Sequence, residues 1–175
     1  MSAVKNEDNA IIVALGSNLT GAYASLEALL DAALDQFEGA GLHVIARSAW
    51  WKSAAWPDPA GPEYRNGVVL VETALGPRET LGALRAIERG FQRTRGEPNA
   101  PRTLDLDLIA YGRLEFDDLD LKIPHPRAHE RRFVMGPLAE IAPGWRHPIL
   151  DATAESLASS ARVGRDAAPA ALHNR

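Results

Sequence analysis

The stretch RTLDLDLIAYG, residues 102–112, alternates leucine with aspartate and predicts a β-strand. Because successive side chains of a strand point to opposite faces, the leucines should share one face and Asp105 and Asp107 the other. The two carboxylates would then lie roughly 7 Å apart and repel each other by about 2 to 3 kcal/mol at an effective dielectric constant near 20. We therefore expect a buried leucine face and an aspartate face that something compensates.

Two interpretations of the aspartate pair stay open at this point. In the first, the strand belongs to a half-exposed sheet and its outer face is simply hydrated. In the second, the pair binds magnesium, because hard divalent cations take oxygen ligands and commonly combine one or two carboxylates with substrate phosphates.

The composition is that of a soluble globular protein, with 46% hydrophobic and 24% charged residues among 175. We expect a single domain over residues 1–162 and a disordered tail over 163–175. The lack of cysteine excludes disulfides and thiolate metal sites, and no signal peptide or membrane span is recognisable, which predicts a cytoplasmic protein. A net charge of −4 argues against general binding to nucleic acid or anionic membranes.

Arginines nevertheless form two clusters. The first comprises Arg85, Arg89, Arg93, Arg95 and Arg102, and the second comprises Arg127, Arg131 and Arg132. A hydrated helix face would explain some of these positions. Two arginine clusters that flank an aspartate pair also match a polyphosphate clamp with its metal ion.

Hydrophobic periodicity predicts the element order β-α-β-β-α-β. Strands are predicted at IIVAL (11–15), HVIARSAWWK (43–52), NGVVLVETA (66–74) and the aspartate-bearing stretch, helices at 26–37 and 77–91, and further short elements at 114–123, 127–143 and 152–161. This order is the split βαβ arrangement of a ferredoxin-like fold, an α+β class with a mainly antiparallel sheet and helices packed on it. The Pro- and Gly-rich loop over residues 53–65 is too long for a simple hairpin and is a candidate functional loop.

Four segments together resemble the 6-hydroxymethyl-7,8-dihydropterin pyrophosphokinase family of folate biosynthesis. They are, in chain order, ALGSNL (14–19), YRNGVV (64–69), PRTLDLDLIAYG (101–112) and IPHPRAHERRFVMGPLAEIAP (123–143). The resemblance implies an enzyme that transfers pyrophosphate from ATP to the hydroxymethyl group of the pterin and releases AMP. It also implies two Mg²⁺ ions bound with ATP, and we expect a monomer whose partners are ATP and the pterin.

The resemblance further implies roles for individual residues. Asp105 and Asp107 would bind the metal ions, and Arg93 and Arg102 would complete the catalytic set. The implied ATP-binding residues are Arg85, Glu88, Arg93, Arg95, Arg102 and His125. The implied pterin-binding residues are Ser53, Ala54, Trp56, Tyr64, Asn66, Arg131 and Phe133. An amide and an aromatic ring suit a flat heterocycle with alternating donors and acceptors.

Two alternative functions remain open on the sequence. A magnesium-dependent nucleotidyltransferase also carries two aspartates one residue apart on a strand, but it would release pyrophosphate instead of AMP. An RNA-binding module is the alternative from another class, because the split βαβ sheet is also the RNA-recognition fold. The first strand, IIVAL, has no aromatic residue on which a base could stack, and the chain is acidic, so this alternative is disfavoured.

Overall fold

The computed structural model describes residues 7–55, 60–92 and 103–170. The strands are β1 (Ile11–Ser17), β2 (His43–Arg47), β3 (Trp51–Ser53), β4 (Tyr64–Glu72), β5 (Asp105–Tyr111), β6 (Phe116–Asp117), β7 (Lys122–Ile123) and β8 (Ala168–Pro169). The α-helices are α1 (Leu26–Asp35), α2 (Pro77–Phe91), α3 (Arg132–Ile141) and α4 (Ala154–Ser160), and short 3-10 helices cover Glu7–Asn9, Glu38–Ala40 and Ala128–Glu130.

The main sheet is antiparallel, with the strand order β5-β1-β4-β3-β8. Strand β2 also pairs with β4, so β2 and β3 pair with successive parts of the same neighbour. Strands β6 and β7 form a separate two-stranded sheet. Counting β2 and β3 as one position, the order β5-β1-β4-β2/β3 is that of a ferredoxin-like fold, which confirms the predicted class.

The continuous strand predicted over residues 43–52 is wrong in one respect, because it breaks between β2 and β3. The indole of Trp50 lies directly over Gly67 of β4, where a Cβ atom would come within 2.4 Å of the ring. The N–H of Ser48 still donates to the carbonyl of Val68, but the N–H of Val68 donates to the hydroxyl of Ser48 at 3.0 Å. The backbone N–H of Ala49 donates to the Glu140 carboxylate at 2.7 Å. Side-chain partners thus replace the ladder hydrogen bonds at the break.

A hydrophobic layer covers each face of the sheet. On one face, Leu29 and Leu30 of α1 and Leu84 of α2 pack against β1, β4 and β5. On the other face, Met135 of α3 and Leu157 of α4 pack against the same strands. The predicted alternation in β5 is confirmed, since its even-numbered leucines are buried in the first layer and its two aspartates are half-buried on the side of α3.

The ends of the first two helices follow from local sequence. The hydroxyl of Ser25 accepts a hydrogen bond from the N–H of Ala28 and caps α1. Pro77 occupies the first turn of α2, as predicted, and the Glu79 carboxylate accepts from the N–H of Gly76. None of the helices in the described residues is long and apolar enough to span a membrane.

The predicted disordered tail from residue 163 differs from the structure over residues 163–170. Strand β8 pairs with β3, and the N–H of Ala170 donates to the carbonyl of Trp50 at 2.8 Å. The guanidinium of Arg132 holds the preceding backbone by donating to the carbonyls of Ala158 and Ala167. These long-range hydrogen bonds order a segment whose own sequence carries no strong secondary-structure signal.

Candidate active site

A cavity of about 470 Å³, hereafter the first cavity, opens on the α3 face of the sheet. Its floor is β1, which contributes Ala14, Leu15 and Gly16, and the side chain of Leu15 is buried in the core layer of the opposite face. A Cβ atom on Gly16 would lie 3.1 Å from Oδ1 of Asn66. The space therefore depends on small residues in the central strand.

Strand register explains which polar groups meet in the first cavity. Gly16 is paired with Asn66 of β4 on one side and with Asp105 of β5 on the other. Ala14, two residues earlier on the same face, is paired with Asp107. The amide and both carboxylates therefore lie on one face of three adjacent strands.

Asn66 is held in a fixed orientation. It is 6% exposed, and its Nδ2 donates to Oγ of Ser53 at 2.9 Å. Ser53 is itself buried and is paired with Tyr64 across β3 and β4. This arrangement gives the wall formed by β3 and β4 an oriented amide, a hydroxyl and a phenol ring.

Phe133 and Arg131 form the facing wall. The ring of Phe133, at the start of α3, is half-buried and lies 5.9 Å from the guanidinium carbon of Arg131. On another side the ring contacts the backbone at Gly164, where a Cβ atom would come within 2.6 Å of it. The ring is thus confined by its neighbours and presents an aromatic surface to the cavity.

A second cavity of about 290 Å³ adjoins the first, and Asp107 lines both. Its walls include Arg85 and Glu88 of α2 and His125 in the segment that follows β7. The Glu88 carboxylate accepts a hydrogen bond from the N–H of Leu106 at 2.8 Å, which fixes α2 to the outer edge of β5.

His125 is set up as a hydrogen-bond donor. Its Nδ1 accepts from the N–H of Arg127 at 3.1 Å, so the neutral ring carries its proton on Nε2. The pKa of His125 lies below its ordinary value. Burial lowers it most, Arg131 and Arg127 also lower it, and the negative charge of Asp107 only partly offsets these effects. A neutral imidazole that can donate through Nε2–H suits a phosphate oxygen in the second cavity.

The donor chemistry of the aspartate pair fits magnesium. Asp105 and Asp107 contribute hard oxygen ligands at one cavity. Within residues 7–55, 60–92 and 103–170, no group of three or more His, Cys, Asp or Glu side chains could hold a metal ion. Two carboxylates therefore fit Mg²⁺ that arrives with phosphate oxygens as further ligands, and not a site built from protein ligands alone.

The structure brings most of the predicted site residues together. Those that line the first cavity are Ser53, Ala54, Tyr64, Asn66, Asp105, Asp107, Arg131 and Phe133, and those that line the second are Arg85, Glu88, Asp107 and His125. The predicted residues Trp56, Arg93, Arg95 and Arg102 lie outside the described residues.

Side-chain hydrogen bonds join the described residues on either side of positions 93–102. Nε2 of Gln92 donates to the carbonyl of Leu104 at 2.8 Å, and Oγ1 of Thr103 donates to the carbonyl of Phe91 at 2.7 Å. These bonds bring the end of α2 next to the start of β5, beside Asp105.

Several residues of the first cavity were missed by the sequence analysis. They are Ala14, Leu15, Gly16, Arg127, Glu130, Val134 and Val163. Gly16 lies in ALGSNL and Arg127 in the second arginine cluster, so both carried a signal that could have been followed. Val163 carried none, because it reaches the cavity only through tertiary contacts.

Comparison with known sequences agrees with the motifs. The family model of 7,8-dihydro-6-hydroxymethylpterin-pyrophosphokinase (HPPK) matches residues 12–143. The chain is 44% identical over 138 residues to the 2-amino-4-hydroxy-6-hydroxymethyldihydropteridine pyrophosphokinase of Synechocystis sp., covering 78% of this chain and 68% of that protein. It is 41% identical over 143 residues to the Pseudomonas aeruginosa protein of the same name, covering 79% and 83%.

Solved structures of lower sequence identity share the fold. Plasmodium falciparum HPPK-DHPS, crystallised with pteroate, superimposes with a TM-score of 0.69 at 15% identity over 86% of this chain and 42% of that one. The chain likewise spans only 26% of the bifunctional folate synthesis protein of Pisum sativum. On the match over residues 12–143 and the identity of 44% and 41% to the two pyrophosphokinases, the chain belongs to the 7,8-dihydro-6-hydroxymethylpterin-pyrophosphokinase family.

Proposed function

We propose that the protein transfers pyrophosphate from ATP to 6-hydroxymethyl-7,8-dihydropterin and releases AMP and the pterin diphosphate. The observation that carries this proposal is the position of Asp107, which lines both cavities. One cavity offers an amide and an aromatic ring, and the other offers a histidine and an arginine. A nucleotide in the second cavity would thus direct its phosphates past the aspartate pair towards an acceptor in the first.

The first cavity suits the pterin. Phe133 provides a flat surface for stacking. Asn66 provides an amide whose orientation is fixed by the hydrogen bond from its Nδ2 to Oγ of Ser53 at 2.9 Å. Tyr64 and Ala54 would line the edges of the slot, and Trp56, from the part of the loop that is not described, would contribute as the resemblance implies. A flat heterocycle with polar edges matches this set of groups.

The second cavity suits the nucleotide. Arg85 and the Nε2–H of His125 would contact phosphate or sugar groups, and Glu88 would hold α2 against β5 beside them. Arg131 would lie at the boundary with the pterin. Arg93, Arg95 and Arg102 would contact the triphosphate from the segment between α2 and β5.

Asp105 and Asp107 would hold the magnesium, for which we expect two ions bound together with ATP. When bound, the metal neutralises charge on the triphosphate. The proposed partners of the protein are ATP and the pterin alone. We further propose that the protein is a monomer and that it acts in the cytoplasm.

The reaction is an in-line displacement at the β-phosphorus. The hydroxymethyl oxygen of the pterin forms the new bond to that phosphorus, the bond from the β-phosphorus to the oxygen it shares with the α-phosphate breaks, and AMP leaves with this oxygen. The hydroxyl proton passes to solvent. The side chains of the site contribute by aligning the two substrates and by donating hydrogen bonds to phosphate oxygens as charge moves to AMP.

The RNA-binding alternative is disfavoured by the packing of the sheet. RNA-recognition folds of this type stack bases on an open sheet face. Here Ile12 and Leu70 are fully buried on one face beneath α3 and α4, and Val13 is fully buried on the other face beneath α1 and α2.

Product analysis tests the proposal. The protein is incubated with ATP, Mg²⁺ and 6-hydroxymethyl-7,8-dihydropterin, and nucleotides and phosphates are separated by chromatography. AMP should appear in equal amount with the pterin diphosphate, and only when the pterin is present. Release of inorganic pyrophosphate with transfer of the AMP moiety would favour the nucleotidyltransferase instead, and absence of any nucleotide conversion would overturn the proposal.

A further inference from the structure

The C-terminal segment, residues 161–170, closes part of the first cavity. Val163 lines the cavity together with Ser53 and Phe133. The family match ends at residue 143, so this segment lies outside the part of the chain that the family model covers. The first cavity therefore has a wall for which the family resemblance gives no role.

On one side, the segment is attached to the wall that carries Phe133. The N–H of Val163 donates to the carbonyl of Glu130 at 2.9 Å, and the N–H of Arg132 donates to the carbonyl of Val163 at 2.8 Å. Gly164 has a φ of +72°, and its missing side chain leaves room for the ring of Phe133. Glycine is suited to this position both by its backbone conformation and by the close approach of the ring.

On the other side, the segment is attached to the wall that carries Ser53. The Asp166 carboxylate accepts a hydrogen bond from the N–H of Ala54 at 2.7 Å. Ala54 lines the first cavity and is the first residue after β3, where the long loop begins. A hydrogen bond from a backbone N–H to a carboxylate is among the stronger kinds, so it restrains the loop where it leaves the sheet.

Arg132 holds the segment in place between these two walls. Its Nε donates to the carbonyl of Ala167 at 3.1 Å, and its guanidinium carbon lies 5.9 Å from the ring centre of Trp51 in β3. Strand β8 continues the contact by pairing with β3. The segment is therefore hydrogen-bonded to both walls of the cavity and connects them.

We propose that residues 161–170 are part of the pterin site of this protein, with Asp166 acting as a positioning residue through Ala54 and Gly164 fixing the ring of Phe133. This inference rests on the proposed function. Because the slot for a flat ring lies between the two walls that the segment connects, the segment sets their separation. The described residues that line the second cavity include no member of the segment. The segment should therefore govern affinity for the pterin and leave affinity for ATP unchanged.

Steady-state kinetics of the full chain test the role of Asp166. Asp166→Ala should raise the KM for 6-hydroxymethyl-7,8-dihydropterin about tenfold, because it removes a charge-assisted hydrogen bond, while the KM for ATP stays within about twofold. Asp166→Asn should restore the KM for the pterin to within about threefold of wild type, because the amide oxygen can still accept from Ala54. Asp35→Ala, an exposed aspartate at the end of α1 on the opposite face of the sheet, is the matched control and should behave as wild type.

A second substitution tests the contact with Phe133 independently. Gly164→Ala should displace the ring, since the new Cβ would lie 2.6 Å from it, and should weaken pterin binding by about tenfold or more. Gly39→Ala is its control, because nothing lies within 4 Å of a Cβ atom there. Thermal unfolding of each variant shows whether it is folded. If Gly164→Ala is not folded, Asp166→Ala alone tests the proposal.

The results separate this inference from the proposed function. If the wild-type protein forms no AMP with the pterin, the proposed function fails. If the wild type is active and Asp166→Ala has an unchanged KM for the pterin, only the inference fails. Equal increases in the KM for pterin and for ATP, or an Asp166→Asn variant as impaired as Asp166→Ala, would also overturn it, because a general loss of structure or a role of the charge alone would then explain the effect.

Discussion

Asn66 and Asp105 flank Gly16 in a single row across three strands, so one strand, β1, separates the amide proposed to bind the pterin from a carboxylate proposed to bind magnesium. Neighbouring strands are about 4.8 Å apart, which places the two side chains on β4 and β5 roughly 10 Å from each other across the glycine. A substrate that reaches from one to the other must pass directly over Gly16. The register of the sheet thus sets the distance between the amide proposed to recognise the pterin and the carboxylate proposed to bind the metal.

Gly16→Ala should impair pterin use. The added Cβ would lie 3.1 Å from Oδ1 of Asn66 and would push the amide away from its position. We expect the KM for the pterin to rise roughly tenfold, in line with the cost of small misplacements in active sites. Gly82→Ala on α2 is the control, since its Cβ meets nothing within 4 Å and alanine in a helix should stabilise the protein by about 0.5 to 1 kcal/mol. Equal kinetics for the two variants would contradict the role of Gly16.

Asp107→Asn should abolish most of the turnover while leaving the protein folded. The amide keeps the shape of the side chain but removes a negative charge, proposed to bind the metal, from the point where the two cavities meet. We expect kcat to fall at least about a hundredfold, as for removal of one group that stabilises transition-state charge. The rate of AMP release at saturating Mg²⁺ measures the effect, and Asp35→Asn should leave it unchanged. Asp105→Asn should act in the same way, and near-normal turnover in either variant would refute the metal assignment.

Phe133→Ala should weaken pterin binding about tenfold and ATP binding by less than twofold, because it removes the stacking surface of one cavity only. Calorimetric titration with the pterin and separately with a non-hydrolysable ATP analogue measures both affinities. Phe133→Leu keeps much of the hydrophobic volume but not the flat ring, and it should recover stability more than affinity. If both ligands lose affinity equally, Phe133 serves the core and not the site.

His147 should make the stability of the protein depend on pH in the acidic range. Burial, together with the positive charges of His129 and Arg113, lowers the pKa of His147 to about 4. Between this value and the ordinary value of about 6.5, the unfolded state binds a proton that the folded state does not. The free energy of unfolding should therefore be independent of His147 above pH 6.5 and should fall as the pH drops from 6.5 to 4, by an amount on the order of 2 kcal/mol.

Urea unfolding of wild type and His147→Asn between pH 4 and 8 measures this dependence. The asparagine can replace Nδ1 of His147 as acceptor for the N–H groups of Ile149 and Leu150, which lie 3.2 and 3.1 Å from it. The difference in stability between the two proteins should change only below pH 6.5, in favour of the variant. Parallel curves over the whole range would show that His147 is not buried in its neutral form.

The sequence was sufficient for the fold class because its signals are local. The alternation in β5 and the helical periodicity of α1 and α2 each depend on neighbours within a few residues, and hydrophobic burial then requires the leucine face inward. The break between β2 and β3 was not predicted, because the propensities of Trp50 and its neighbours favour a strand. The break depends on the approach of Trp50 to Gly67 and on a carboxylate from α3, both distant in sequence.

The sequence by itself determined the order of the elements, the faces of β5 and, through motifs, the family and eleven of the residues that line the two cavities. Only the tertiary structure decided that Gly16 separates Asn66 from Asp105, that Asp107 lines both cavities and that residues 161–170 complete the first cavity. The physical reason is that the periodicity and the motifs that predict an element depend on residues close together along the chain. Register, cavity shape and the ordering of the C-terminal segment depend instead on contacts such as those of Arg132 and Asp166, which form between distant parts of the chain once the sheet has assembled.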